Sequence, residues 1–324
     1  MKTKIWISSF AIMGLLLMLT NSCKKDKVSV PVLTTTPVTY ISETSVTCAG
    51  DVSSDEGAAV SERGVCWSTS QNPTTANDKI TNGAGTGSFT CTIDGLNANT
   101  KYYMRAYAIS SAGTGYGTEI TFRTWNVEKV TDIDNNIYHT VTIGTQVWLV
   151  ENLKVTHFSN GDPIPNVSDF SPWGDLITGA YCDYNNNQSN VIVYGRLYNW
   201  FAVNDSRNIA PTGWHVHSDA EWTVLATYLG GESIAGGKLK EAGTTHWLEP
   251  NSGATNETGF TGLPGGHRIY DGTFDYVNSG GGWWSSTAEN DNDAWIRYLD
   301  YGAVDFWKYL EDKRYGRSVR CLMD

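Results

Sequence analysis

Positive charge is in short supply. Lys and Arg number 23 against 34 Asp and Glu, which leaves a formal net charge of -11. No Lys/Arg cluster interrupts that balance, and it argues against a nucleic-acid partner, whose phosphates are held by basic patches. Long periodic apolar segments are equally scarce, so helix is expected to be the minor element. Cysteine is sparse too, with six residues in 324. What the chain has instead is 33 Gly, many Asn, Thr and Ser, and 40% hydrophobic residues. That composition fits short strands joined by turns and is enough to fill two cores.

The one long apolar run is at the amino terminus. Lys2 and Lys4 precede Ile5 to Leu19, a stretch too short and wrongly flanked for a transmembrane helix but right for a secretory signal, here residues 1–22. Leu19-Thr20-Asn21-Ser22-Cys23 resembles a bacterial lipoprotein cleavage box, with Thr20 where an aliphatic residue is more usual. The resemblance implies a lipid on Cys23, each acyl chain contributing about 0.8 kcal/mol per buried CH₂. It places the protein in the cell envelope as an outer-membrane lipoprotein, on either face of that membrane. Residues 23–38, opening Lys24-Lys25-Asp26-Lys27 and rich in Pro and Thr, are expected to be a polar tether.

Residues 39–124 carry period-two runs separated by Gly and Asn turns. Ser45 to Ala49, Arg63 to Trp67 and Ser88 to Ile93 are three of them, and together they predict a β-sandwich. Asp94-Gly95-Leu96-Asn97-Ala98-Asn99-Thr100-Lys101-Tyr102, followed by Tyr103 to Ala108, resembles the fibronectin type III module. Tyr102 would be the corner tyrosine, with Met104, Ala106 and Ala108 facing inward. Gly64 to Ser68 looks like the variant found in surface lipoproteins of the Bacteroidetes. Cys48 and Cys91 share an inward phase on neighbouring runs, as a disulfide or as two free thiols. Cys66 has no evident partner. A spacer role is expected for this all-β, immunoglobulin-like domain.

A polar connection, 125–136, leads to a second domain, 137–324, which holds all Trp residues except Trp6, Trp67 and Trp125. Ile137 to Gly144 and Gln146 to Val150 predict a hairpin. One helix is expected over Tyr194 to Val203, with Tyr194, Leu197, Tyr198 and Phe201 on one face. A second follows the capping box Ser218-Asp219-Ala220-Glu221, burying Trp222, Leu225, Ala226 and Leu229 and stopping at Gly230-Gly231. From Lys238 to Gly282 long loops are expected.

The motifs Ile143 to Trp148, Tyr194 to Trp200, Pro211 to Trp222, Ala254 to Phe260, Leu263 to Gly266, Trp283 to Ser286 and Ser318 to Cys321, in that order, resemble the Fibrobacter succinogenes major paralogous domain. The resemblance implies an α+β, C-type-lectin-like fold related to the formylglycine-generating enzymes, in secreted and lipid-anchored proteins. It assigns no activity. The only cysteines here are Cys182 and Cys321, read as a disulfide joining the domain's ends, with two unpaired thiols as the alternative. No nucleophile, base and orienter assemble by spacing from His139, His157, His246 or His267, and the His215-x-His217 pair has only Asp219 and Glu221 nearby as further metal ligands, the latter claimed by the helix cap.

Two candidate sites remain. Glu249-Pro250-Asn251 looks like the sugar-coordinating tripeptide of mannose-type C-type lectins. With Asp291 and Asp293 it offers hard oxygen donors for calcium, against the plainer reading of solvated turn residues. The closing stretch carries Asn290, Asp291, Asn292, Tyr298, Tyr301, Asp305, Trp307 and Tyr309, the last five near the Asp300-Tyr301-Gly302 turn, while Trp284 and Trp295 are expected in the core. These readings lead to a non-catalytic binder of a glycan or envelope protein. The rivals are a structural subunit of a surface assembly and, behind it, an envelope enzyme.

Overall fold

Alternating apolar and polar side chains between Val32 and Arg123 build eight strands in the computed structural model, which describes residues 28–126 and 128–324. They are β1 (Val32–Ile41), β2 (Val46–Ser54), β3 (Glu62–Ser68), β4 (Asp78–Thr81), β5 (Gly87–Ile93), β6 (Lys101–Ser110), β7 (Gly113–Tyr116) and β8 (Ile120–Arg123). One sheet has the order β1-β2-β5 and the other β4-β3-β6-β7, with β8 also on β6. The inner faces of the two sheets close over Val46, Cys48, Val65, Met104, Ala106, Ala108 and Phe122. This is a fibronectin type III-like sandwich. Its corner is the expected one, the Tyr102 hydroxyl accepting from the Asn97 amide at 3.0 Å.

Two boundaries move. Residues 32–38, expected in the tether, are strand, because Leu33 and Val38 are buried in the sandwich core. The signal segment and Cys23 lie outside the described residues. The connection 125–136 is not only linker, since it contains β9 (Lys129–Thr131).

The rest of the chain forms β10 (Ile137–Ile143), β11 (Gln146–Leu149), β12 (Tyr181–Cys182), β13 (Leu197–Tyr198), β14 (Trp214–Val216), β15 (Gly265–Arg268), β16 (Phe274–Val277), β17 (Gly280–Ala288), β18 (Asp293–Asp300), β19 (Trp307–Asp312) and β20 (Cys321–Met323). Five short helices interleave: α1 (Phe170–Gly174), α2 (Ser189–Tyr194), α3 (Trp200–Val203), α4 (Asp219–Tyr228) and α5 (Glu232–Leu239). One sheet runs β14-β20-β11-β10-β9 and a second β16-β15-β17-β18-β19. Trp148 of β11 pairs with Leu322 of β20, so the domain's first hairpin meets its last strand.

The capping box forms as expected, and Trp222, Leu225, Ala226 and Leu229 are buried. The helix expected over Tyr194 to Val203 does not form as one piece. Gly195 sits at φ 73, in the left-handed region that ends α2. Leu197–Tyr198 then pairs with β12, and Asn199 caps α3 by accepting from the Ala202 amide. Helix α5 falls where no helix is expected, its last two residues inside the stretch read as long loops. Its Gly236 and Gly237 lie against the backbone carbonyls of Asp305 and Gly253, where a Cβ would collide.

The motif residues converge on a buried polar hub. Asn152 Oδ1 accepts from Trp283 Nε1 at 2.7 Å and from Arg320 Nη2 at 2.9 Å. Arg320 is fully buried, donates to the Phe260 carbonyl and stacks 4.1 Å from that ring. Burial pulls its pKa down to about 9. Three widely separated motifs, at Phe260, Trp283 and Arg320, are thus framework, tied together with Asn152 by hydrogen bonds in a low-dielectric interior.

Candidate functional site

The sheet β16-β15-β17-β18-β19 has two unlike faces because its side chains alternate. Trp283, Leu299 and Arg297 point toward α4 and α5, where Arg297 pairs with Asp219 and Glu232. Trp284 and Ile296 point the other way, into a second core cluster. Beyond them on that face the sheet opens into a groove of about 450 Å³, lined by His267, Tyr276, Tyr298, Asp300, Trp307, Tyr309, Glu311 and Arg317.

Register explains the grouping. Tyr298 lies opposite Trp307 across the β18–β19 ladder, and Ile296 opposite Tyr309. The Tyr298 and Trp307 rings lie 6.2 Å apart at 21°, with Tyr309 6.3 Å from each. On the other side Gly280 and Gly282 pair with Asp300 and Tyr298. A Cβ at 280 would sit 2.0 Å from the Tyr298 hydroxyl, and one at 282 would sit 2.6 Å from Arg317 Nη1. Glycine at these two places lets the phenol and the guanidinium lie directly on the strand.

The groove's charges are mostly cancelled. Arg317 donates through Nε and Nη2 to both Glu311 oxygens, and its guanidinium lies 5.8 Å from the Tyr298 centroid. Its Nη1 is buried without a partner among the described residues. His267 stacks on Tyr276 at 5.3 Å, and its Nδ1 is likewise buried and unpartnered. Burial, then the nearby Arg317 guanidinium, push the His267 pKa down to about 3, so the imidazole is neutral near pH 7. Burial, then the Asp300 carboxylate, hold the Tyr298 phenol in its protonated form. Asp300 accepts from the Gly302 amide and has no ion-pair partner among the described residues.

Of the eight residues expected to contact a ligand, three meet here: Tyr298, Trp307 and Tyr309. Asn290, Asp291 and Asn292 do not. They form the exposed β17–β18 turn, where Asn290 Oδ1 accepts from the amides of Asn292 and Asp293 and the Asn290 and Asp291 carbonyls accept from Lys313 Nζ. Tyr301 packs against the core around Trp222 and Trp283 instead of facing the groove. Asp305 does not line it either, and its carbonyl lies against Gly236. Trp295, expected in the core, is only part-buried, donating to Glu289 and carrying Lys308 Nζ 3.8 Å from its ring centroid. Not picked as ligand contacts were His267, Tyr276, Asp300, Glu311, Arg317 and the glycine pair. The run Gly280-Gly281-Gly282 before Trp283 was the available signal, since a strand rarely gives up three side chains unless something lies on it.

The calcium set is divided. Asn251 is buried, donating to the Glu241 and Gly243 carbonyls, next to Ser252, whose amide bonds Tyr301. Asp291 and Asp293 lie at the far end of β18 from Tyr301, roughly 25 Å away by strand rise. Glu249 and Asn251 therefore do not share a site with Asp291 and Asp293. Among the described residues no group of three or more His, Cys, Asp or Glu could hold a metal ion.

Neither expected disulfide is present. Cys48 and Cys91 do face each other across β2 and β5, but Cys48 Sγ donates to the Cys91 carbonyl at 3.5 Å. Cys182 and Cys321 lie in separate core clusters, around Trp173 and around Tyr198 respectively. All five described cysteines are buried free thiols. Burial pushes the Cys182 thiol up to about 12 and raises Cys321 as well, the reverse of a reactive cysteine. The two histidines also part company. His217 is buried between Trp148 and Trp222, whereas His215 bridges Asp324 and Glu221.

A β-sandwich followed by a β-rich domain with an aromatic groove on its closing sheet defines the class: a two-domain, mostly β protein. The family model of the Fibrobacter succinogenes major domain matches residues 141–323, and the chain belongs to that family. No curated protein matches it. Among solved structures, the short sensor domain of the anti-sigma factor RsgI4 from Pseudobacteroides cellulosolvens is 20% identical, covering 31% of this chain and 100% of that one, with a TM-score of 0.25. The fibronectin type III domain of human fibronectin type III domain containing protein 3 is 19% identical, covering 31% and 91%, with a TM-score of 0.22.

Proposed function

We propose that this protein is a non-catalytic outer-membrane lipoprotein, held by lipid on Cys23, whose C-type-lectin-like domain recognises a glycan or envelope protein through the aromatic groove. The observation that carries the reading is the groove itself. Tyr309 and Tyr276 are 46% and 47% exposed beside a buried, charge-balanced wall, and aromatic side chains held at a surface by such a wall are typical contact anchors. The lectin-like assignment is supported by the pairing of β11 with β20, which joins the ends of the domain, and by the α4–α5 pair on the closing sheet. The non-catalytic assignment is supported by the thiols' raised pKa values.

The rival reading, a structural subunit, draws on a different observation. β19 is an edge strand with Tyr309 and Leu310 exposed, a template for a strand from another chain. Two experiments test the proposal. Metabolic labelling with an alkyne fatty acid should mark the wild type and not Cys23→Ser; an unlabelled wild type would remove the anchor. Retention on immobilised envelope glycans should be lost in Tyr309→Ala. Silence on glycans, with co-purification of an envelope protein, would favour the structural subunit.

A further inference from the structure

Resting on that reading of the groove, we propose that its ligand is a neutral pyranose unit of a glycan and that no metal ion mediates the contact. The platform is the first argument. Tyr298 and Trp307 lie near parallel, with Tyr309 at equal distance from both. With the Arg317 guanidinium over Tyr298, Trp307 and Tyr309 are the rings left for the polarised C–H face of a pyranose to stack on, since their π faces carry a negative quadrupole.

Charge is the second argument. Arg317, the groove's one lining cation, is spent on Glu311 in a two-point ion pair. Asp300 has no ion-pair partner lining the groove, and the nearby Lys240 ammonium is buried and held by the Ser252, Asp300 and Ala303 carbonyls, so a carboxylated or sulfated sugar would meet the Asp300 carboxylate with no free cation to hold it. A cationic ligand fares poorly for a different reason, because the Arg317 guanidinium already lies over Tyr298. With the Glu311 oxygens occupied, one free carboxylate remains, fewer oxygen donors than calcium takes from a lectin-type site.

Hydrogen bonding is the third argument. His267 and Arg317 are 6% and 4% exposed, and each has a buried nitrogen without a partner. Buried polar groups are seldom left so. Hydroxyl groups, which both donate and accept, suit the neutral imidazole together with Asp300. This combination of stacking surface and neutral hydrogen-bonding groups fits an uncharged sugar better than a peptide strand, which would need the sheet edge.

The test is calorimetric titration of the full-length protein in detergent with cello-, manno- and xylohexaose, and with oligogalacturonate of equal length, each with and without EDTA. At least one neutral sugar is expected to bind, unaffected by EDTA and at least about tenfold tighter than oligogalacturonate. Trp307→Ala and Tyr309→Ala, checked for unchanged melting, should weaken that binding by about tenfold or more. Asp291→Ala, on the remote turn, should leave it unchanged, and Asp300→Asn should narrow the margin over oligogalacturonate. Preference for the acidic sugar, loss of binding in EDTA, or silence with every sugar would overturn the inference while leaving the groove open to a protein. Neutral-sugar binding indifferent to both aromatic variants would overturn the groove reading itself.

Discussion

Lys240 shows how a single buried side chain can organise loops. It is fully buried, and its ammonium donates to the carbonyls of Ser252, Asp300 and Ala303 at 2.9, 2.9 and 2.7 Å. Burial lowers its pKa to about 8, and Asp300 offsets only part of that. The loop at Ser252 and the turn from Asp300 to Ala303 are therefore fastened at one nitrogen, beside the Asp300 end of the groove. Lys240→Met would strand three buried carbonyls, at about 1 kcal/mol or more each. Urea denaturation should show a loss of roughly 3 kcal/mol, and an unchanged midpoint would contradict this role.

His267 makes a pH prediction whose sign follows from its lowered pKa. The unfolded chain takes up a proton near pH 6.5, while the folded chain resists until about pH 3. Between those values the unfolded state binds more protons, so stability falls as pH drops through this window. The fully buried His217, lowered well below its ordinary value, acts in the same direction. His267→Phe removes one of these titrations. Its melting temperature should fall less steeply between pH 6.5 and 4 than that of the wild type, and parallel curves would rule the account out.

At the scale of elements, the ends of helices were easier to read than their interiors. Ser218 and Glu221 satisfy each other's backbone amides through local geometry, so four consecutive residues specify the start of α4. Ser218→Ala should cost about 1 kcal/mol in thermal or chemical denaturation. The apolar spacing from Tyr194 to Phe201 suggested a helix just as clearly, yet Leu197 and Tyr198 became strand. Their partner, β12, is fifteen residues upstream, and Tyr198 sends its hydroxyl to the Val155 carbonyl. Gly195 permits the break. A Cβ there would lie 2.7 Å from the Asn152 Cβ at φ 73. Gly195→Ala should destabilise by more than about 1 kcal/mol and disturb the Asn152 hub, seen as a lower melting temperature. A melting temperature at or above the wild type would show that the chain tolerates another conformation there.

For the whole molecule, the sandwich is more than a spacer strung on a linker. Trp125 donates to the Gly259 carbonyl at 3.2 Å, lies 4.7 Å from His139 and meets Tyr40 edge-on. Lys129 pairs with Glu43 at 3.0 Å across the same junction. These contacts couple the two domains mechanically, which would fix the groove's direction relative to the amino-terminal end. Trp125→Ala should separate the two unfolding events in scanning calorimetry and expose the segment 126–136 to protease. A single transition unchanged from the wild type would show the contact to be incidental. Linkers are read from composition, and composition is silent about a tryptophan that docks on a distant loop.

What the sequence determined by itself is what local chemistry and order encode. The sandwich and its corner at Tyr102, the first hairpin, the α4 cap and the ordered motifs of the family all rest on neighbouring residues. Trp307, Tyr298 and Tyr309 could be picked out because two adjacent strands place them together. Only the tertiary structure decided the rest of the groove. His267 reaches it by the parallel contact of β15 with β17, Arg317 by lying on the side-chain-free Gly282, and Asn290 to Asn292 are removed from it by the length of β18. The physical reason is that strand pairing between distant segments sets which face a side chain occupies, and a face is a property of the sheet, not of the residues along one strand.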